Sequence, residues 1–204
     1  MKTITIGRQF GAGGMATGKI LSEKLNIPCY DKELIMLASK KSGLGSEFFE
    51  KADEKSSFSI FGVLGNVLGG FFSGIFSSGQ SNNYLSNEML FNIQSKVIKE
   101  IAEKESAIFL GRCADYILRE KENLTTIFIY ANLKDRIKRI SEQKNISEKE
   151  AKNLIEQCDK KRSSYYNYYS DKTWGDAKSY DLCINSSILG IEKTAEFVLN
   201  FVQH

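Results

Sequence analysis

Hydrophobic and polar positions change period several times along the chain, and each change marks an element. Lys2 to Ile6 alternates polar and β-branched residues, the period of a strand, and a glycine-rich turn follows at once. From Gly14 to Leu25 the apolar residues Ile20, Leu21 and Leu25 recur at helical spacing until Asn26-Ile27-Pro28 stops the pattern. Asp31 then stands as the N-cap of another helix, whose apolar side is Leu34, Ile35, Leu37 and Ala38. Ser86-Asn87-Glu88 opens a third helix with Leu90, Ile93, Val97 and Ile101 in one stripe. Ala107 to Leu110 and Thr125 to Tyr130 are apolar, β-branched or aromatic runs of the kind buried in parallel sheets, and each leads into a helical pattern, Ala114 to Glu120 and Leu133 to Gln143. Ser147-Glu148-Lys149-Glu150 is a capping box that starts a long polar helix towards Tyr169. Tyr180 to Asn185 is a last strand and Ile191 to Val202 a last helix. Strands and helices alternate without an internal repeat, which predicts an α/β protein: one domain over residues 1–204 with a central parallel sheet covered by helices.

One stretch breaks the alternation. Ser56 to Asn87 carries no charged residue, and Phe58 to Phe76 holds five Phe among Ile, Val and Leu. Glycines at 65, 69, 70 and 74 match the small-residue spacing of a membrane helix contact. Six Gly, eight Ser and four Asn dilute the same stretch and no basic cluster flanks it, so a flexible insertion or self-association surface is the expectation, with a homodimer as one outcome and no membrane partner.

Composition narrows the chemistry. The 204 residues are 42% hydrophobic and 26% charged, with a net charge of +3, which describes a packed core and no general affinity for nucleic acid. The single histidine is the last residue, His204, so a Ser-His-Asp triad, a Cys-His pair and a histidine zinc site are not expected. Cys29, Cys113, Cys158 and Cys183 lie far apart with no CxxC pair, which suits reduced thiols in the cytoplasm better than a disulfide framework or a metal site. No metal site is expected in the protein itself.

The chemistry that remains is anion binding. Between the first strand and the first helix runs Gly7-Arg8-Gln9-Phe10-Gly11-Ala12-Gly13-Gly14-Met15-Ala16-Thr17-Gly18-Lys19, and such a loop exposes backbone N–H groups and a helix N-terminus to phosphate. Two registers fit. Gly13 to Lys19 reads as GxxxxGK, but Ile20 stands where Ser or Thr would hold magnesium and the helix would have about seven residues. A turn at Gly11-Ala12-Gly13-Gly14 instead leaves a helix of about twelve residues, which is preferred, and makes Arg8 the cation best placed for an anion. Arg112, in Gly111-Arg112-Cys113-Ala114-Asp115, lies just beyond a parallel strand's carboxyl end, where such folds bind ligands. Arg136 with Arg139, and Asp159 with Arg162, share helix faces and are either converging catalytic charges or solvated ion pairs. Tyr165-Tyr166-Asn167-Tyr168-Tyr169 and Trp174 suit a base stack or, more simply, helix packing.

GRQFGAGG, YDKELI, the SNEMLF-to-GRCAD stretch, DRIKRI, DKKRSSYYNYY and WGD…YDLCINSS, in that order, resemble the cytidylate-kinase-like family, relatives of the nucleoside monophosphate kinases. The resemblance implies a P-loop NTPase-like three-layer α/β/α fold with mobile monophosphate-binding and lid segments, the insertion falling at about 56–87 and the lid at about 145–176. It implies ATP-dependent phosphoryl transfer to a nucleoside monophosphate, CMP or dCMP or a related small acceptor, with ATP and Mg²⁺. Arg8, Gly11, Ala12, Gly13 and Gly14 would hold the donor phosphates. Asp31, Arg112 and Asp115 would bind the acceptor, and Arg136, Arg139, Asp159 and Arg162 would close over the phosphates as lid and hinge. Cytidylate kinases carry a lysine in this loop, followed by a small or hydroxyl residue; here Gly14 and Met15 stand there. A nucleotide-binding protein of the same fold without turnover is the alternative.

Overall fold

Five strands, all parallel, make the one sheet among the described residues, and its order places the loops that matter. In the computed structural model the described residues are 1–32, Leu34, Ile35, Leu37, Gly43 and 82–203, with side chains in the last stretch from residue 87. The strands are β1 (Thr3–Arg8), β2 (Cys29–Tyr30), β3 (Ala107–Leu110), β4 (Leu124–Tyr130) and β5 (Leu182–Asn185), in the order β2-β3-β1-β4-β5. The helices are α1 (Gly14–Leu25), α2 (Asn82–Lys104), α3 (Ala114–Ile117), α4 (Leu133–Lys144), α5 (Glu148–Tyr169) and α6 (Ser186–Gln203). Two compact units divide the chain: Met1–Lys32 with Lys99–His204, and Glu33–Ile98.

The first unit holds the sheet. In β1, Ile4 and Ile6 point to one face and join Leu21, Ile108, Leu110, Ile127, Ile129 and Val198 in a continuous core under α1 and α6. β1 lies between β3 and β4, with Ile6 level with both Leu110 and Ile127, so the loops after β1 and β3 leave the sheet side by side. The Gly111 N–H donates to the Ile6 carbonyl at 3.0 Å and extends that adjacency one residue past β3. This is the carboxyl-end crevice where open parallel sheets bind ligands. A second small core, Ile140, Ala151 and Ile155, joins α4 to α5. In the second unit, Ile93 and Val97 of the expected α2 stripe are buried.

Most of the expected elements stand where the pattern puts them, and the differences have causes. β2 has only two residues, too few to show a period; pairing with β3 creates it, including the Ile108 N–H to Pro28 carbonyl bond of 2.9 Å. α3 ends at Ile117 and not at Glu120, because bonds from Arg119 to Tyr116 and from Lys121 to Leu118 tighten the chain into turns. β5 begins at Leu182 and not at Tyr180, since the Asp181 carboxylate captures both the N–H and the hydroxyl of Thr126, at 2.7 and 2.8 Å. α2 starts four residues ahead of the expected Ser86, and nothing in its residue types explains that. α6 is broken at Gly190, whose φ of 75° and ψ of 171° separate a first turn from the helix expected at Ile191. Lys32, Leu34, Ile35 and Leu37 are helical, in line with a helix after Asp31; its continuation and residues 56–81 of the uncharged stretch lie outside the described residues. Among the described residues no helix is long and apolar enough to cross a membrane.

Candidate phosphate-binding site

The chain leaves β1 at Arg8 and enters α1 at Gly14. Gly11 and Gly13 take the left-handed backbone, with φ of 78° and 84°. Conformation calls for glycine at both, and space adds to it: a Cβ on Gly13 would stand 2.9 Å from Ile191, and one on Gly11 a tight 3.0 Å from Ile140. The turn is tied down on three sides. Gln9 bonds through its N–H to Ile129 and through its side-chain oxygen to the Ala131 N–H, and the Ser186 hydroxyl donates to the Ala12 carbonyl at 2.7 Å. Gly13 caps α1 without a side-chain hydrogen bond, so the first N–H groups of a twelve-residue helix have no side-chain acceptor at that cap.

The helix thus starts at Gly14, as the second of the two registers requires, and Lys19 lies on its second turn, exposed. Replacing Lys19 with alanine is expected to leave nucleotide binding and turnover within about twofold of the parent. A phosphate-binding lysine would cost about tenfold or more in affinity. Side-by-side titrations of the two proteins decide it.

Three arginines meet beyond the ends of β1 and β3. The Arg8 guanidinium passes so close over Gly111 that a Cβ there would lie 2.0 Å from its Nη1. Burial, then the neighbouring charges of Arg162 and Arg112, push Arg8 down to about 9, which still leaves it cationic at neutral pH; Asp31 is the carboxylate that opposes this. Arg162, from α5, donates to the Arg8 carbonyl at 3.0 Å and lies 5.4 Å above the Phe10 ring. Arg112 lies 4.6 Å above the Tyr165 ring. It is held in place by a strained backbone: Gly111, Arg112 and Cys113 all take positive φ, at 68°, 60° and 56°. Two of the three are not glycine, a cost on the order of 1 kcal/mol or more for each. Asp31 bears on Arg8 and also raises the Cys29 thiol, which burial, the larger cause, pushes up to about 11. Gathered cations facing one carboxylate have the charge that a multiply charged anion would match.

The α4–α5 pair is already docked on the loop. Asp159 accepts from the Phe10 N–H at 2.7 Å and from Arg136 Nη1 at 2.5 Å, while the same Arg136 nitrogen reaches the Phe10 carbonyl at 3.3 Å. Arg139 donates to the Gly11 carbonyl. The Phe10 side chain packs against the second core, beside Ile137, Ile146 and Leu154. Of the four residues expected as lid and hinge, Arg136 and Asp159 spend these contacts on loop geometry, Arg139 grips the loop, and Arg162 joins the arginine cluster. The contribution of Phe10 escaped sequence reasoning, because its partners lie more than 120 residues away.

Asp115 sits elsewhere than Arg112, under α5. Its carboxylate is buried and accepts from the Tyr166 hydroxyl at 2.6 Å. Tyr166 stacks on Tyr180, which packs on Phe128, and Trp174 meets Phe128 edge-on, so these rings build core. Tyr165 differs, since its ring supports Arg112, and Tyr168 is exposed. Burial raises the Asp115 carboxyl, against the Tyr166 hydrogen bond and the charge of Lys172. The folded protein therefore holds this proton more tightly than the unfolded chain, and Asp115 stabilises the fold below about pH 4 and loses that contribution as pH rises through its raised value. Urea unfolding of the parent and of Asp115→Asn across pH 4 to 7 is expected to show that slope in the parent and a flatter profile in the variant.

A parallel sheet with a glycine turn running from its first strand into a helix, and cations at the adjoining strand ends, is the arrangement of P-loop kinases. The family model described as "Cytidylate kinase-like family" matches residues 3–188, and the chain belongs to that family. Among solved structures, an uncharacterized protein from Eubacterium ventriosum ATCC 27560 is similar at 27% identity and a TM-score of 0.72, over 100% of this chain and 99% of that one. Shikimate kinase from Bacteroides thetaiotaomicron matches at 15% identity and a TM-score of 0.53, over 100% and 99%. A gluconokinase from Sinorhizobium meliloti 1021 matches at 9% and 0.51, over 99% and 91%. The last two are likenesses of fold. No curated protein matches the chain in sequence.

Proposed function

We propose that the chain transfers the γ-phosphoryl group of ATP to a nucleoside monophosphate, with CMP and dCMP first among the acceptors, in the cytoplasm. The observation that carries this reading is the meeting of Arg8, Arg112 and Arg162 beside an N-terminal helix end without a side-chain cap. A neutral acceptor has no use for positive charge outside the donor loop, whereas an acceptor that brings its own phosphate does. Arg8 and the Gly11 to Gly14 turn serve the donor, Arg112 the acceptor phosphate, Asp31 the acceptor nucleoside, and Arg139 and Arg162 the charge between the two. Asp115, buried and bonded to the Tyr166 hydroxyl, has no part in acceptor binding in this reading.

An ionised oxygen of the acceptor phosphate attacks the γ-phosphorus, the bond from phosphorus to the β,γ-bridging oxygen breaks, and the electron pair leaves on ADP. Because the attacking oxygen is already deprotonated at neutral pH, no general base is required, which suits a chain whose one histidine is residue 204. The work left to the protein is positioning and charge stabilisation. Among the described residues no group of three or more His, Cys, Asp or Glu is placed to hold a metal, and Met15 follows Gly14 where the family carries a small or hydroxyl residue. Magnesium would enter with the nucleotide and would offset the charge of its phosphates.

A second reading, nucleotide binding without turnover, rests on the same Gly14 and Met15. A coupled ADP-release assay across the common ribo- and deoxyribonucleoside monophosphates separates the two. Turnover with CMP or dCMP above the others is the expected result. ATP binding with no ADP released for any acceptor would favour the second reading.

A further inference from the structure

We infer that Arg8 occupies the place of the missing loop lysine, and that the exchange is written into the packing of Gly14 and Gly111. The inference rests on the phosphate-binding part of the proposed function and not on turnover. A Cβ at Gly14 would lie 2.7 Å from Arg8 Cβ and 2.8 Å from its Cγ, so the root of the Arg8 side chain fills the space that a side chain at position 14 would need. At its other end the guanidinium fills the space over Gly111, 2.0 Å from where a Cβ would be. One side chain therefore requires two glycines on separate strand-end loops.

The same placement explains why the lysine is dispensable. A cation launched from the end of β1 runs from beside Gly14 to the turn over Gly111, so its charge reaches the strand ends without a side chain at position 14. Arg8 arrives close enough to Arg162 and Arg112 for both to oppose its charge, with Asp31 on the other side of the balance. A guanidinium presents a rigid fork of donors to paired phosphate oxygens, where lysine offers a point charge, so the exchange changes the manner of phosphate recognition and keeps its sign. Gly14→Lys alone cannot restore the usual loop, because Arg8 stands in its way.

The test is a reciprocal exchange in the full chain, read by calorimetric titration with inorganic tripolyphosphate and with Mg·ATP. Arg8→Gly is expected to fold and to bind tripolyphosphate about ten- to a hundredfold more weakly, the loss of a charged hydrogen bond. Glycine is needed there, since the alanine Cβ would keep the 2.7 Å clash. The double variant Arg8→Gly with Gly14→Lys is expected to recover at least about tenfold of that loss. Gly14→Ala, which adds only the Cβ, is expected to lower the melting temperature with Arg8 present and to leave it unchanged with Arg8→Gly. Full tripolyphosphate binding by Arg8→Gly, no recovery in the double variant, an equal Gly14→Ala penalty in both backgrounds, or no affinity of the parent for tripolyphosphate would each overturn the inference. If the exchange behaves as expected but no monophosphate is phosphorylated, the phosphotransfer reading fails and this one stands.

Discussion

Replacing Asp159 with alanine is expected to destabilise the protein by about 3–5 kcal/mol, the cost of breaking a buried ion pair by removing one partner. The Arg136 side chain is 9% exposed and that of Asp159 16%, so solvent has little access to repair the loss. Two groups are stranded at once: the Arg136 guanidinium loses its carboxylate, and the Phe10 N–H loses the acceptor at 2.7 Å. Against a total stability of about 5–15 kcal/mol for a domain, that is a large fraction. Urea denaturation measures it. Arg136→Met with Asp159→Leu, which removes both charges, is expected to recover much of the stability, and a penalty for Asp159→Ala below about 1 kcal/mol would show a weakly coupled surface pair instead. Because the pair holds the phosphate loop at Phe10, the loop is expected to lose nucleotide affinity along with the stability.

Removing the Arg112 guanidinium is expected to weaken acceptor binding about ten- to a hundredfold, roughly 1.5–3 kcal/mol, while leaving tripolyphosphate binding at the donor loop unchanged. The choice of replacement separates function from strain. Arg112 holds φ at 60° between two other residues with positive φ, a conformation that alanine tolerates no better than arginine and glycine tolerates freely. Arg112→Gly should therefore lose as much acceptor affinity as Arg112→Ala and yet be the more stable of the two, by about 1 kcal/mol. A paired titration and melting series shows both. Equal stability of the two variants would mean that the backbone carries no strain there, and unchanged acceptor binding would remove Arg112 from the site.

Much of the architecture was legible because the signals are local. α1 and β3 begin and end at the expected residues, and Ser147 with Glu150 forms the capping box that its spacing announces. Helix length alone chose between the two loop registers, since only a start at Gly14 leaves enough turns to pack. Two of the misreadings came where a side chain or a distant strand intervenes: Asp181 displacing the first rung of β5, and β3 creating β2 from two residues. The site was legible as a set of charges but not as an arrangement. On the sequence Arg136 goes with Arg139 and Asp159 with Arg162, and nothing local reveals that Arg136 and Asp159 pair across two helices and hold the Phe10 backbone.

Residue types and spacing by themselves determined the α/β alternation, the glycine turn after β1 and the identity of the cations available, since periodicity, backbone freedom and side-chain charge belong to the residues themselves. Tertiary structure alone decided which of those cations converge. The parallel register sets Gly111 beside the end of β1, the Arg8 side chain then claims the space above Gly14 and Gly111, and α5 brings Arg162 from about 150 residues away. Convergence of that kind depends on excluded volume and on distances through space, which a linear pattern does not record.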